Sequence, residues 1–220
     1  MKTLFVTSEA HPLIKTGGLG DVAGALPVAL RQLRHDVRLL LPAYPQAKEQ
    51  VKSLQTAAEL ELEDHPEKVT LLQGKLPGTS LPVYLVDAPG LFDRPGNLYT
   101  ASDGTGWSDN PQRFALLSHV ATAIGLDRAT LDWQPDIVHC NDWQSGLTPV
   151  LLHQYAVRPK TVFTIHNLAY QGIFSRETFE QLQLPEALWS FDGLEFHGNF
   201  SFIKGGICRR RHHGQPHLCP

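Results

Sequence analysis

The sequence predicts a doubly wound α/β fold of the Rossmann type, in which a mostly parallel sheet is covered by helices. Short apolar runs alternate along the chain with longer segments whose apolar residues recur at helical spacing. The apolar runs are continuous instead of alternating with polar residues, which is typical of strands that are covered on both faces.

The first unit of this fold is a strand over residues 3–7, a helix over 19–33 and a strand over 37–41. The helix is predicted from an apolar stripe formed by Leu19, Val22, Ala23, Leu26, Leu30 and Leu33. Pro27 lies within this stripe and is expected to kink the helix. The order strand, helix, strand predicts parallel strands joined by a right-handed crossover.

The middle of the chain is less regular. Strands are predicted over residues 69–72 and 83–86, and a long surface loop over 89–110, which is rich in Gly, Pro, Asp and Asn. Asp109 or Asn110 is expected to cap the following helix, because Pro111 suits the first turn of that helix.

The alternation then resumes with strands over residues 136–140 and 161–165 and a helix over 143–155 between them. In doubly wound sheets, ligands bind at the carboxyl edge, where strands end in loops. Three segments follow strand ends and are therefore candidate sites, namely residues 8–21, 139–144 and 166–172.

The first candidate segment contains a glycine-rich turn between a strand and a helix. The amides of such a turn can bind an anion, since glycine has no Cβ to block close approach. Gly18, Gly20 and Gly24 form G-x-G-x-x-x-G, which is one residue longer than the dinucleotide fingerprint, and no P-loop lysine follows. The spacing alone fits a phosphate-binding turn and a flexible loop with a solvated lysine equally well.

The other two segments carry polar groups at strand ends. Asp142 is suited to capping a helix and also to catalysis, and Trp143 is suited to the core or to stacking on a sugar ring. His166 and Asn167 offer hydrogen-bonding groups for sugar hydroxyls, which are costly to bury without partners. For a lone histidine at a strand end, however, a structural role is the more common one.

Net charge, the length of the apolar runs and the number of cysteines restrict the possible partners and the cellular location of the protein. The formal net charge of −3 gives no electrostatic reason to expect nucleic acid or an anionic membrane as partner. No apolar run reaches the roughly 18 residues that span a bilayer, and the first apolar run is too short for a signal peptide. Three cysteines, Cys140, Cys208 and Cys219, argue against a disulfide framework, so a cytoplasmic location is expected.

Ordered motifs along residues 1–207 resemble those of bacterial glycogen synthases and plant starch synthases. Residues 15–19 read K-T-G-G-L and residues 166–172 read H-N-L-A-Y-Q-G, and both are similar to motifs of this family. Further segments agree in order and spacing, namely residues 87–89, 92–96, 113–117, 194–196 and 204–206. Each motif is short, but their combination in this order is specific.

The resemblance implies a glycosyltransferase of the GT-B architecture, in which two Rossmann-like domains face a deep cleft. It implies transfer of glucose from ADP-glucose to the non-reducing end of an α-1,4-glucan (glycogen), with retention of the α configuration and release of ADP. No metal ion and no other cofactor is implied. The transition state requires stabilised charge on both sides of the breaking bond, and water must be excluded.

The resemblance also implies roles for individual residues. On the donor side, Lys15 and the amides of Gly17 and Gly18 are expected to bind ADP-glucose near its phosphates. Asp21 is expected to support this loop or to contact the nucleotide.

Near the transferred glucose the resemblance places His166 as a catalytic residue, with Asn167 close by. Asp142, the second expected catalytic residue, and Tyr99 are expected to line the acceptor side of the cleft. Asn141 departs from the family, which commonly has histidine at this position.

The family is about twice as long as this chain, and its second domain supplies the adenine pocket and the groups that grip the diphosphate. The chain alone is therefore expected to be inactive. Residues 1–207 are expected to form the N-terminal catalytic domain. Residues 208–220 are expected to be a disordered tail that arose from a frameshift, which the downstream DNA tests. A metal site or a basic nucleic-acid arm in this tail is disfavoured, because its spacing matches no zinc pattern.

Two other functions remain as alternatives. A nucleotide-dependent oxidoreductase would share the fold, but the sequence lacks G-x-G-x-x-G and has Leu41 and Pro42 where an acidic residue would end the second strand. A non-catalytic glucan-binding fragment is compatible with the length of the chain.

Overall fold

The main sheet has the strand order β3-β4-β5-β2-β1-β6-β7 in a computed structural model that describes residues 1–62 and 68–207. Its strands are β1 (Lys2–Val6), β2 (Asp36–Pro42), β3 (Lys52–Leu60), β4 (Val69–Lys75), β5 (Pro82–Asp87), β6 (Ile137–Asn141) and β7 (Lys160–Thr164). The strands β5, β2, β1, β6 and β7 pair in parallel, whereas β4 is antiparallel to both of its neighbours. The predicted, mostly parallel Rossmann-like sheet is confirmed.

Seven helices are found in the described residues. They are α1 (Gly18–Gln32), α2 (Pro45–Gln50), α3 (Pro89–Phe92), α4 (Asn110–Gly125), α5 (Leu147–Leu152), α6 (Arg176–Gln181) and α7 (Phe202–Ile207). Helix α1 runs through Pro27 as one element. The helix predicted over 143–155 is instead a 3₁₀ turn at Trp143–Ser145 followed by the shorter α5.

A second sheet was not predicted. Its strands β8 (Ile173–Ser175), β9 (Glu195–Phe196) and β10 (Asn199–Ser201) are antiparallel in the order β8-β10-β9. The strands are two or three residues long, so they carry too little periodicity for a sequence signal.

The core lies on the central strands and on helix α4. The apolar residues of β1 and β2 are fully buried, as expected for strands that are covered on both faces. Helix α4 is buried nearly all round, including the polar residues Arg113 and Ser118. The Cys140 thiol in β6 is free, and burial raises its pKa to about 12.

The prediction that Asp109 or Asn110 caps helix α4 is confirmed in its position but not in its chemistry. Asp109 occupies the N-cap position, but its side chain makes no capping hydrogen bond. Both carboxylate oxygens instead accept hydrogen bonds from the guanidinium of Arg94, at 2.9 and 2.6 Å. This two-point charged contact outcompetes the weaker local cap.

The topological switch point lies at β1. Strand β1 has β2 on one side and β6 on the other, so the chain leaves it in one direction and later returns on the opposite side. The carboxyl ends of β1 and β6 therefore border the crevice where doubly wound sheets bind ligands. The expected tail over 208–220 lies outside the described residues.

Candidate active site

The loop after β1 carries Lys15 and the glycine turn. The Lys15 ammonium lies 2.7 and 2.6 Å from the two carboxylate oxygens of Asp21 in the first turn of α1. Both side chains are largely exposed, so this ion pair adds little to stability and can open. Asp21 thus orients Lys15 in this structure.

The glycines of this loop serve two different purposes. A Cβ at Gly17 or Gly18 would meet no atom within 4 Å, so packing does not demand glycine there. Gly17 is the N-cap of α1 and has no side chain that could cap the first-turn amides, which leaves them available to an anion. A Cβ at Gly24, in contrast, would overlap the carbonyl oxygen of His11, so this third glycine permits close packing of the loop on the helix.

Two residues that the sequence analysis missed hold this loop against β1. Glu9 is almost fully buried, and its carboxylate accepts hydrogen bonds from the Thr16 amide and, at 3.0 Å, from the Thr16 hydroxyl. Ser8 bonds the Tyr99 hydroxyl at 2.7 Å. A carboxylate directly after a buried strand was the signal that could have identified Glu9.

Tyr99 is held in place by groups from helix α4 and from the loop just before it. Its carbonyl oxygen accepts hydrogen bonds from the Asn110 side chain at 2.9 Å and from the Trp107 amide at 3.0 Å. Its ring lies 6.0 Å from that of Phe114. Burial raises the pKa of the Tyr99 phenol well above its usual value, so Tyr99 acts as a neutral hydrogen-bonding group.

Arg113 sets the course of the loop that bears Tyr99. Its side chain is fully buried and donates to the carbonyl oxygens of Leu91 at 2.9 Å and Leu98 at 2.7 Å. It also donates to the Asn110 side chain at 2.7 Å. One guanidinium therefore fixes both ends of the 91–98 segment, a role that the motif containing Arg113 did not reveal.

Asp142 ties the carboxyl ends of β6 and β7 together. One carboxylate oxygen, Oδ1, accepts hydrogen bonds from the amides of His166 at 2.6 Å and Asn167 at 3.2 Å. Asp142 occupies the N-cap position of the 3₁₀ turn that follows, but its side chain makes no capping bond to that turn. The catalytic candidates Asp142 and His166 are in direct contact.

The backbone of Asp142 is in a sparsely populated conformation, with φ 54° and ψ −179°. For a residue other than glycine this costs on the order of 1–3 kcal/mol, and such strain is most often found at functional sites. Asp142 is only 7% exposed, so the surrounding structure holds it in this conformation.

His166 is also bound through its ring. Nε2 lies 3.0 Å from Oδ1 of the fully buried Asn141, while the His166 side chain as a whole is exposed at the sheet edge. Behind it, His139 bonds the Thr164 hydroxyl at 2.8 Å and packs against the Phe5 ring at 4.7 Å.

The half-buried His139 predicts a pH dependence of stability. Burial, and then positive charge on His166, lower the pKa of His139 below its usual value near 6.5. The unfolded chain therefore takes up this proton at a higher pH than the folded chain does. The neutral His139 therefore contributes to stability above about pH 6.5. This contribution is lost as the pH falls below the histidine pKa of the unfolded chain towards the lower pKa of the folded chain.

Urea denaturation at pH 7.5 and pH 5.5 tests this expectation. The wild-type chain should lose more free energy of unfolding on acidification than the His139→Gln variant, which has no proton to gain at this position. Equal losses in the two proteins would contradict it.

Trp143 belongs to the core. It is 8% exposed, and its ring centroid lies 5.0 Å from that of Phe114, 5.8 Å from Phe174 and 5.6 Å from Phe202. Of the two roles left open by the sequence, the structure supports packing and not stacking on a sugar. Gly172, at the end of the H-N-L-A-Y-Q-G motif, has φ 59° and contacts the Trp143 ring.

The candidate residues thus form two groups at one edge of the sheet. Lys15, Asp21 and Tyr99 surround the loop after β1, and Asp142, His166 and Asn167 lie at the ends of β6 and β7. A cavity of about 330 Å³ adjoins Lys15 and Thr16 on the side of α2, and His166 does not line it. The two groups therefore share the carboxyl edge of the sheet, but they do not line one enclosed pocket.

Residues 1–62 and 68–207 contain neither a candidate metal site nor a candidate membrane-spanning helix. Within these ranges, no group of three or more His, Cys, Asp or Glu side chains is arranged to hold a metal ion. None of the helices described there combines the length and apolar character needed to cross a bilayer.

The fold and the two groups of side chains define a Rossmann-like domain that presents a glycine-rich turn with Lys15 and a His–Asp pair at its switch point. Residues 2–211 match the family model described as the starch synthase catalytic domain, and the chain belongs to this family. The fold is that of the N-terminal domain of a GT-B glycosyltransferase, as predicted, and the alternative of a nucleotide-dependent oxidoreductase is wrong.

Among curated relatives, the chain is 55% identical over 208 residues to the glycogen synthase of Thioalkalivibrio sulfidiphilus, covering 94% of this chain and 43% of the relative. It is 55% identical over 207 residues to glycogen synthase 1 of Methylococcus capsulatus, covering 94% and 41%. The chain therefore spans less than half the length of these relatives.

Among solved structures, the fold is similar to the catalytic domain of starch synthase IV from Arabidopsis thaliana bound to ADP and acarbose. The TM-score is 0.77 and the sequence identity is 27%, over 94% of this chain and 43% of the other.

Proposed function

We propose that the chain forms the N-terminal half of a glycogen synthase, which transfers glucose from ADP-glucose to the non-reducing end of an α-1,4-glucan with retention of configuration. The observation that carries this proposal is the grouping of the Lys15 loop and the Asp142–His166 pair along one edge of the sheet, at its switch point. The family and the names of the relatives support it. A cytoplasmic location is part of the proposal.

The loop after β1 is assigned to the donor. When the bond to glucose breaks, negative charge develops on the departing ADP, and a cation with backbone amides stabilises this charge best when already in position. Lys15 and the amides of Gly17 and Gly18, where no side chain blocks the approach of a ligand, are suited to provide such groups. A diphosphate would compete with Asp21 for the Lys15 ammonium, so Asp21 holds Lys15 in place until the donor binds.

The ends of β6 and β7 are assigned to the transferred glucose and the acceptor. His166 and Asn167 lie beside the transferred sugar, while Asp142 and Tyr99 line the acceptor side. The catalytic domain of starch synthase IV, to which the fold is similar, is bound to ADP and acarbose, and this supports a nucleotide and a sugar as the classes of ligand. No metal ion or other cofactor is required in the proposed reaction.

The proposal also predicts that this chain alone does not turn over. Donor and acceptor must be enclosed together so that water does not hydrolyse the donor. The open edge described above cannot enclose them without an opposing domain.

A chimaera tests the proposal. Residues 1–207 are joined to the remaining C-terminal part of the Thioalkalivibrio sulfidiphilus glycogen synthase, and incorporation of radiolabelled glucose from ADP-glucose into glycogen is measured. We expect transfer by the chimaera and none by the 220-residue chain. A folded but inactive chimaera would contradict the proposed activity, and appreciable turnover by the chain alone would contradict the need for a second domain.

Variants of the chimaera test the site. Lys15→Met is expected to lower kcat by about 10²–10³, the usual effect of removing one group that stabilises developing charge. Lys160→Met is the matched control, because Lys160 is an exposed lysine at the opposite, amino end of β7. Equal activity of the two variants would remove Lys15 from the donor site.

A further inference from the structure

We propose that Asn141 is a positioning residue that holds the His166 imidazole as its Nε2–H tautomer and so presents Nδ1 as a hydrogen-bond acceptor. The use of Nδ1, to accept from a hydroxyl group of the bound sugar, rests on the proposed function. The tautomer itself does not.

The first step is the orientation of the Asn141 amide. Asn141 is fully buried at the end of β6, and its Nδ2 lies 3.0 Å from the carbonyl oxygen of Val6 and 3.3 Å from that of His139. Carbonyl oxygens only accept hydrogen bonds, so the NH₂ group must face them. A flipped amide would set its oxygen against two other oxygens. The Asn141 Oδ1 therefore faces His166.

The second step is the position of the proton on His166. Oδ1 of an amide has no hydrogen to donate, so the Nε2 atom 3.0 Å away must carry one. A neutral imidazole has a single N–H, which leaves Nδ1 with a free lone pair. Among the described residues no hydrogen bond to Nδ1 is found, and the side chain is exposed at the ligand-binding edge.

The third step is the rigidity of this arrangement. Asn141 and Asp142 are consecutive, and they fix the ring and the main-chain amide of His166, respectively. The Ser145 hydroxyl accepts a hydrogen bond from the main-chain N–H of Asn141 at 2.6 Å and donates one to the main-chain carbonyl oxygen of Asn141 at 2.9 Å. These two bonds anchor the backbone of Asn141. The two bonds to His166 hold its ring in one orientation before any ligand arrives.

The consequence is chemical selectivity at Nδ1. A neutral Nδ1 accepts a hydrogen bond from a hydroxyl group, whereas in the other tautomer it would donate. A sugar hydroxyl with its hydrogen directed at His166 is the matching group, and the phosphate oxygens of a nucleotide, which are acceptors, are not. His166 is therefore suited to the sugar and not to the diphosphate.

The tautomer can be measured in the 220-residue chain by NMR. The histidines are labelled with ¹⁵N, long-range proton–nitrogen correlations are recorded at pH 8, and the His166 signals are assigned by their loss in His166→Gln. We expect the proton on Nε2, with a directly bonded cross-peak that exchanges slowly with water. A proton on Nδ1 in the wild-type chain would overturn the proposal outright.

Two variants then separate the effect of the Oδ1 acceptor from the effect of the hydrogen bonds that Asn141 donates. Asn141→Leu and Asn141→Asp both lose the bonds donated to Val6 and His139, but only Asn141→Asp keeps an oxygen for His166. We expect the Nε2–H cross-peak to be lost in Asn141→Leu and kept in Asn141→Asp. Loss in both variants, or retention in both, would show that the acceptor does not hold the proton.

Addition of ADP-glucose to the ¹⁵N-labelled chimaera described above, which has the second domain expected to supply the adenine pocket, tests the use of Nδ1. We expect the Nδ1 resonance to move when the sugar nucleotide binds, whereas binding without such a shift would overturn the role of Nδ1. Failure of ADP-glucose to bind would count against the proposed donor site and would leave the tautomer result standing.

Discussion

Replacing Gly172 with alanine is expected to lower the free energy of unfolding by on the order of 3 kcal/mol. The backbone at Gly172 has φ 59°, and a Cβ there would overlap the Trp143 ring and lie 3.0 Å from the Cβ of Phe202. Trp143 cannot move aside, because the rings of Phe114, Phe174 and Phe202 surround it. Conformational strain and overpacking therefore add together at this position.

Two other glycines separate these contributions. Gly198 has φ 79° but open space around it, so Gly198→Ala should cost only the conformational term of about 1 kcal/mol. Gly90 has neither a positive φ nor a neighbour within 4 Å, and Gly90→Ala should be close to neutral. Urea denaturation of the three variants measures the differences. If Gly172→Ala costs no more than Gly198→Ala, the aromatic cluster is not rigid.

Replacing Asp142 with alanine is expected to cost about 2–4 kcal/mol, since two main-chain amides lose their acceptor while the strained backbone remains. The amides of His166 and Asn167 should also exchange faster with deuterium, because the carboxylate is their partner in the structure. The effect should be local to the carboxyl ends of β6 and β7.

A series at this position distinguishes the carboxylate from the backbone. Asp142→Asn keeps the Oδ1 acceptor and should be the most stable variant. Asp142→Gly relieves the strain but lacks the acceptor, so it should recover stability relative to alanine without restoring protection of the His166 amide. Urea denaturation measures the stability of each variant, and hydrogen exchange measures the protection of its His166 amide. Alanine and asparagine variants of equal stability and protection would contradict this account of Asp142.

The parts of the fold that the sequence predicted are those with strong local signals. Strands β1, β2 and β6 are continuous apolar runs, and every predicted end lies within one residue of the observed end. Strand β3 was missed, because most of its side chains are exposed or half-buried and its stability comes from pairing with β4. The local sequence of β3 does not indicate that β4 pairs with it.

The candidate site followed from one topological rule, namely that ligands gather at the carboxyl edge of parallel strands. The contacts within the site did not follow. Asp109 and Asp142 were both candidates for capping, and both occupy N-cap positions, but each side chain binds a partner from elsewhere in the fold that the local sequence cannot show. The pairing of Asn141 with Thr164 across β6 and β7 is what brings Asp142 to the amide of His166.

The outer position of β7 has a consequence for handling the purified chain. Within the described residues β7 pairs only with β6, and Val162 in it and Ile165 just after it are 43% and 38% exposed. An unpaired apolar edge is a template on which strands of other molecules can add, so concentrated samples should self-associate through intermolecular β-pairing. A lysine in place of Val162 would act as a gatekeeper against this aggregation and would leave the Lys15 loop untouched.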